Sequence, residues 1–300
     1  MNDQKGTLFI VGTPIGNLKD ITLRALEVLS SVDLIAAEDT RRTRKLLSYH
    51  NIHKPLISYH EHSPTERDEE IISRLKQGQR IALVTDAGMP GFSDPGFRLI
   101  RRVIEEALNI TVIPGPSAIL SALLISGFPP TPFAFLGFPP SRGSSRKHFF
   151  DRYREIPMTR VLFESPVRLI KTLEDIADQW GNPQVCVARE MTKVFEEALR
   201  GSALDLARIF RERGETVKGE ITIVVEEHRC GAPATTFSST PHSDDFSSID
   251  SAIRKLLKEN PAISTKELAQ EIARQFGISR RSAYKRIAEL REKDHSLPAL

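Results

Sequence analysis

The chain has 300 residues, 40% hydrophobic and 27% charged, with a formal net charge of +3; that length holds about two domains with a sizeable core. Such a composition excludes a collagen-like or wholly disordered protein, and two cysteines, Cys186 and Cys230, build no disulfide framework and lack metal-ligand spacing. The opening MNDQKGTLFIVG has a four-residue apolar run, and the most apolar segment, 118–128, is broken by Ser121, Ser126 and Gly127, so neither a secretory signal nor a membrane span is expected and the chain reads as cytoplasmic.

Strand-like and helix-like patterns alternate from the start. T-L-F-I-V-G-T (7–13) is a buried-type strand ending in the turn P-I-G-N, and Asp20 is expected to cap a helix whose apolar positions are Ile21, Leu23, Leu26, Val28 and Leu29. D-L-I-A-A-E (33–38) is a second strand. A charged helix follows over 64–77, stopped by Gly78, then a strand at 80–86, a Gly/Pro loop, a helix near 96–107 and a strand at 110–114. Short continuous apolar strands between helices predict an α/β domain, 1–116, with a largely parallel sheet.

Beyond P-G-P-S the spacing predicts a helix at 118–126, then strands at 133–138, 160–164, 184–190 and 219–226, with helices near 166–180 and 202–213. This is a second α/β domain, 117–229, expected to hold a mixed sheet. The segment S-R-G-S-S-R-K (141–147) reads as a basic, mobile loop. Residues 230–248 carry 11 Gly, Pro, Ser or Thr in 19 positions and read as a linker. In the last part, 249–300, Leu268, Ile272 and Phe276 form a stripe, Gly277 breaks it, and Ala283, Ile287 and Leu290 continue a second helix; Ala273 followed four positions on by Gly277 is the small packing residue and tight turn expected of a helix-turn-helix. Residues 249–293 hold 11 Lys/Arg against 6 Asp/Glu, whereas the first 248 hold 31 against 32. The excess positive charge therefore sits in this module, and Arg280, Arg281, Lys285 and Arg286 suit a phosphate backbone; a solvated helix face is the alternative.

Four Gly/Pro loops lie just after predicted strands: 12–17, 86–96, 114–118 and 163–166. In open α/β sheets ligands bind outside the carboxyl ends of the strands, where glycines let the backbone approach closely. A dinucleotide fingerprint is disfavoured, because Gly12 and Gly16 do not complete G-x-G-x-x-G and Pro14 removes an N–H donor. His60 and His62, flanking Glu61, lack further ligands nearby, so no metal site is expected. Cys186 reads as a small buried hydrophobe.

The series T-P-I-G-N-L-x-D-I-T-x-R-A, A-E-D-T-R (37–41), D-A-G-M-P-G-F-S-D-P-G, P-G-P-S-A, F-E-S-P-x-R and K-G-E-I-T runs in order between residues 7 and 226. It closely resembles the tetrapyrrole methylase superfamily and, within it, the ribosomal RNA small-subunit methyltransferase I family, whose members 2′-O-methylate a decoding-region cytidine of 16S rRNA. One departure is Met89, where that family more often has Thr. The resemblance implies S-adenosylmethionine in a cleft between two α/β domains, bound by Pro14, by Asp86, Ala87, Gly88 and Met89, by Ser117 and Ala118, and by Phe163, Glu164 and Ser165. It further implies 16S rRNA or the small ribosomal subunit as partner, a homodimer, and no metal.

Methyl transfer from a sulfonium needs alignment above all, and a ribose hydroxyl needs a proton acceptor. Glu38 and Asp39, beside Arg41 at a predicted strand end, are the candidates. Arg41, Arg42, Arg44 and Lys45 suit flanking phosphates, unless Asp39 only caps the next helix and the arginines face solvent. Glu190 is a further acidic candidate. Two other functions stay open: a small-molecule tetrapyrrole methylase, for which a basic appendage has no use, and a ligand-sensing DNA-binding regulator.

Overall fold

A computed structural model describes residues 6–91, 95–213, 217–227, 250, 252–257, 263–276, 283–284, 286–287 and 290. The chain divides into two compact units, Met1–Pro233 and Ala234–Leu300. The first holds two five-stranded sheets.

The first sheet comprises β1 (Thr7–Val11), β2 (Leu34–Ala37), β3 (Leu56–Ser58), β4 (Arg80–Val84) and β5 (Asn109–Ile113), in the order β3-β2-β4-β1-β5. All four pairings are parallel, as expected. β2 is buried along its whole length, which explains its unbroken apolar run: helices cover both faces, leaving no polar alternation. On one face α1 (Leu23–Ser31) and α2 (Thr40–Tyr49) close a core around Ile35, Ala82 and Ile113; α1 is capped by Thr22, whose hydroxyl accepts from Ala25 N (3.1 Å), and not by Asp20, which ends a short 3-10 turn before it. On the other, α3 (Thr65–Lys76) and α4 (Phe97–Glu105) bury Ile71, Leu75, Leu99 and Val103 against Leu8, Ile81 and Leu83. Asp68 of α3, fully buried, accepts from the Tyr59 hydroxyl (2.8 Å) and pairs with Arg98 of α4 (2.6 Å), tying these elements together.

The second sheet is mixed, as expected. It contains β6 (Phe133–Phe135), β7 (Thr159–Glu164), β8 (Gln184–Arg189), β9 (Glu197–Ser202) and β10 (Ile221–Val225), ordered β6-β7-β10-β8-β9. Only β6–β7 is parallel. One face packs on α6 (Gly143–Arg152), α7 (Leu169–Trp180) and α8 (Ala203–Glu212). The other packs on α5 (Ala118–Ser126), with Ala122 and Leu123 against Val161, Cys186 and Val224. Cys186 is buried in that core, and desolvation pushes its thiol up to about 11.

The sequence missed β3 and β9. β3 is three residues and partly exposed, and β9 carries Arg200 and Gly201 among its six, so neither shows an apolar run. The 141–147 segment is corrected as well: it opens helix α6 instead of forming a mobile basic loop. Arg146 is 7% exposed and donates to Asp175 (2.7 Å), Pro140 O (2.8 Å) and Thr172 Oγ1 (2.8 Å). An arginine expected on a mobile loop is thus the centre of a buried network.

In the C-terminal unit α9 (Thr265–Phe276) is preceded by Ser264, whose hydroxyl accepts from Glu267 N (3.2 Å) while the Glu267 carboxylate takes both the Ser264 hydroxyl and N–H, a reciprocal capping box. Leu268 and Ile272 pack with Ala283, Ile287, Leu290, Ile253 and Leu257, the apolar set the periodicity requires. Arg286 makes a bidentate pair with Asp250 (2.7 Å each), so its charge is already engaged within the unit. The predicted linker 230–248, Cys230, Gly277, Arg280, Arg281 and Lys285 lie outside the described residues.

Candidate active site

β1 lies between β4 and β5, so the loops leaving these three strands meet at one sheet end. Their joining is specific. Thr13 and Gly88 exchange backbone hydrogen bonds (2.9 and 3.1 Å), and the Thr13 hydroxyl donates to Thr85 O (3.0 Å). Gly12 and Gly115 abut: a Cβ on Gly115 would sit 2.8 Å from Gly12 Cα, and one on Gly12 would sit 2.6 Å from Met89 Sδ. Gly88 itself has φ 78°, a left-handed backbone that favours glycine. Glycines in these motifs thus let three loops stack at backbone distance.

Against this junction stands a cavity of about 540 Å³, within the range of cofactor pockets. The first-sheet loops give it Ile15, Ala87, Gly88, Met89, Pro114 and Gly115. α5 gives Ala118, Ile119 and Leu120, with Ser117 at its N-cap, and the second sheet gives Phe133, Phe135, Phe138, Phe163, Glu220, Ile221 and Thr222. Phe163 meets Phe135 edge-on (4.9 Å between centroids) and Phe138 at a tilt (5.5 Å), an aromatic wall. Such a lining, apolar with a few polar groups and bare backbone, suits a nucleoside-containing ligand.

A second cavity of about 300 Å³ shares Ile15, Ala87 and Glu220 with the first and is more polar. Pro14, Gly16, Arg42, Lys45, Asp86 and Lys193 line it among others. Behind it, the ends of β2 and β4 are locked reciprocally: Asp86 N donates to Glu38 Oε2 (3.1 Å), and Asp39 N donates to Asp86 Oδ1 (3.1 Å). Arg42 pairs with the other Asp86 oxygen at 3.2 Å. Desolvation raises the pKa of both Glu38 and Asp86 above the ordinary value, with mutual repulsion adding to it at Glu38. Asp39 behaves oppositely: Arg41 donates to it from Nε (3.1 Å), Nη2 (2.8 Å) and its backbone N (2.8 Å), which holds the carboxyl well below the usual carboxylate range.

The sequence-predicted residues therefore divide. Ala87, Gly88, Met89, Ser117, Ala118 and Phe163 meet on the walls of the larger cavity, while Pro14 and Asp86 line the smaller one, which Ala87 also touches. Glu164 and Ser165 line neither. Glu164 is 2% exposed and accepts from Thr172 Oγ1 (2.5 Å), Ser165 N (2.6 Å) and Arg168 (2.7 Å), a brace holding β7 to α7. Glu38, Asp39 and Arg41 also stand off both walls: Asp39 caps α2, and the Arg41 side chain is 85% exposed. The lining residues that sequence reasoning gave no role include Glu220, Ile221 and Thr222, although K-G-E-I-T was one of the quoted motifs, and the aromatics of 133–138. Among the described residues no group of three or more His, Cys, Asp or Glu is placed to hold a metal ion, and no helix is long and apolar enough to cross a membrane.

Comparisons with known proteins agree with this architecture. A family model described as Tetrapyrrole (Corrin/Porphyrin) Methylases matches residues 7–207. A Thermotoga maritima protein named ribosomal RNA small subunit methyltransferase I is 47% identical over 220 residues, 73% of this chain and 98% of that one. A protein of the same name from Mesorhizobium japonicum is 38% identical over 286 residues, 95% of this chain and 92% of its own. Among solved structures, a diphthine synthase superposes with a TM-score of 0.56 at 14% identity, covering 74% of this chain and 92% of that one. A cobalt precorrin-4 methyltransferase of cobalamin biosynthesis gives 0.54 at 17% identity, covering 73% and 94%; at these identities the likeness concerns the fold. The chain belongs to the tetrapyrrole methylase family and, within it, to the ribosomal RNA small subunit methyltransferase I group, enzymes that take their methyl group from S-adenosylmethionine.

Proposed function

We propose that the protein transfers a methyl group from S-adenosylmethionine to the ribose 2′-oxygen of a cytidine in the decoding region of 16S rRNA. The observation that carries the reading is the pairing of two contiguous cavities of different chemistry, one apolar and aromatic, the other lined by Arg42, Lys45 and Lys193. The first suits the cofactor, with Gly88, Met89, Ser117, Ala118 and Phe163 as its holders and Pro14 at the boundary. When bound, S-adenosylmethionine supplies a methyl already activated on a sulfonium. This chain's contribution is then to align, to exclude water and to take a proton.

For the proton, Asp86 is better supported than Glu38 or Asp39. It lines the polar cavity, and although Arg42 pairs with its Oδ2 at 3.2 Å, burial outweighs that pairing and raises its pKa toward the range where a carboxylate accepts more readily. Glu38 stands behind it, holding its backbone, and Asp39 is committed to Arg41. Arg42 and Lys45 suit the phosphates of an RNA strand entering the smaller cavity. The acceptor class is tested by offering the protein labelled cofactor with small ribosomal subunits, free 16S rRNA and a uroporphyrinogen-type tetrapyrrole in parallel. Label in RNA alone is expected; label in the tetrapyrrole would overturn the RNA reading.

The protein works as a homodimer in this reading. α5 is apolar apart from Ser121 and Ser126, and away from the cofactor cavity its Leu124 and Ile125 are 74% and 36% exposed, with Val112 on the edge strand β5 at 52%. A helix this apolar belongs in an interior. Leu124→Glu is expected to halve the mass found by sedimentation; an unchanged mass would place the dimer contact elsewhere or remove it.

A further inference from the structure

The turn joining β8 to β9, residues 190–196, is built against local backbone preference. Glu190 (φ 51°) and Thr192 (φ 66°) are both left-handed without being glycine, a conformation that persists only where its surroundings enforce it. Here the enforcement is dense. Thr192 N donates to Glu196 Oε2 (2.6 Å), Lys193 N to Glu190 O (3.0 Å) and Glu196 N to Lys193 O (3.2 Å). From the first sheet's side, Asn17 N donates to Thr192 Oγ1 (3.0 Å), and Gly16 has no room for a Cβ, which would lie 2.7 Å from Lys193 Cγ. Gly219 leaves the space that the Glu190 carboxyl fills.

The result is that Lys193 faces the polar cavity beside Asp86 and Arg42. Its Nζ donates to Glu190 (2.8 Å) and Glu220 (3.0 Å). Burial alone would lower its pKa, but the two carboxylates outweigh that and raise it, so the group stays an ammonium and is no base. An ammonium has three donors; among the described residues two are used, and one is left for a ligand. The next two residues, Val194 and Phe195, are 93% and 73% exposed on the same tight turn.

We propose that this turn is an RNA-engaging finger, in which Lys193 donates its remaining hydrogen to a ribose or phosphate oxygen of the nucleotide being methylated and Phe195 stacks on a neighbouring unpaired base. The inference rests on the reading of the polar cavity as a nucleotide site. An exposed aromatic next to a fixed cation is the combination that holds single-stranded RNA, since every base has a face to stack and every nucleotide a charge to pair. At 73% exposed, Phe195 leaves most of its ring open to solvent, which stacking requires.

The test uses the full-length protein as Phe195→Ala, Phe195→Tyr, Lys193→Met and Lys193→Arg, with cofactor affinity by calorimetry, mass by sedimentation, and KM and kcat for small-subunit RNA at saturating cofactor. Phe195→Ala is expected to raise the KM for RNA by about tenfold or more, with cofactor affinity and mass unchanged, and Phe195→Tyr to restore it. Lys193→Met should lower kcat/KM for RNA at least about tenfold and reduce the logarithmic salt slope of RNA binding by about 1, and Lys193→Arg should recover much of the slope. An unchanged RNA KM in Phe195→Ala, or a change in its mass, would overturn the finger while leaving the proposed reaction intact. So would a loss of cofactor affinity in Lys193→Met as large as the loss toward RNA. A wild-type protein that binds cofactor and methylates no RNA would instead remove the underlying reading.

Discussion

Asp86 and Asp39 are both short carboxylates at strand ends, yet their surroundings give them opposite characters. Asp39 is held ionised by Arg41 in the cap of α2, whereas burial pushes Asp86 up. Asp86→Asn is therefore expected to lower kcat by about 100-fold or more, while Asp39→Asn, which can still accept the cap hydrogen bond, stays within a few-fold of wild type; steady-state methyl transfer decides, and an equal loss in both would contradict the assignment. Glu38 offers a pH signature. Its folded pKa lies above the ordinary 4.5, with desolvation the largest cause, so the native state binds the extra proton. Stability should fall as pH rises from 4.5 through that raised value. Glu38→Gln, which keeps an acceptor for Asp86 N, should remove the Glu38 share of this decline, leaving the part that the raised Asp86 carboxyl contributes, and match or exceed wild type at pH 7 in urea midpoint; a clearly lower midpoint would show that the charge is stabilising. The sequence carried the identity of A-E-D-T-R but not this division, because which carboxylate an arginine reaches depends on a helix start and on a strand 47 residues away.

At the scale of elements, the site exists because three loops stack on glycine. Gly115→Ala would press a methyl into Gly12, and we expect cofactor affinity to weaken more than tenfold by calorimetry while the far-UV spectrum is retained; unchanged affinity would mean the junction tolerates separation. These loops were legible in advance, since Gly and Pro directly after an apolar run mark strand-to-ligand turns. Other elements were not. β9 hides its strand behind Arg200 and Gly201, and 141–147 has the composition of a loop while forming the start of α6. Glu164 was drawn into the cofactor set by its motif, yet its oxygens are consumed by Thr172, Ser165 and Arg168. A motif preserves whatever holds a loop in place as well as whatever touches the ligand, and residue type alone does not separate the two.

At the scale of the whole molecule, the chain carries a catalytic unit and a separate small helical one. The Thermotoga relative, 98% covered by 220 aligned residues, is too short to contain counterparts of both, so the methylase unit is expected to bind cofactor alone. Deleting 231–300 should leave cofactor affinity unchanged and weaken RNA binding together with its salt dependence, because the excess Lys and Arg lie there; RNA affinity equal to the full chain would refute that role. Charge bookkeeping along the sequence located this unit, but it did not foresee that Arg286 is paired with Asp250. Ribose and base methylation differ in the atom that receives the methyl. The most direct measurement is to label 16S rRNA in small subunits from cells lacking the enzyme, using the purified protein and tritiated cofactor, and then to digest the RNA with alkali. Label retained in an alkali-resistant dinucleotide whose 5′ member is cytidine is the predicted result, since a 2′-O-methyl group blocks cleavage at the phosphate that follows it. Label released in ordinary mononucleotides would place the methyl on a base and contradict the account.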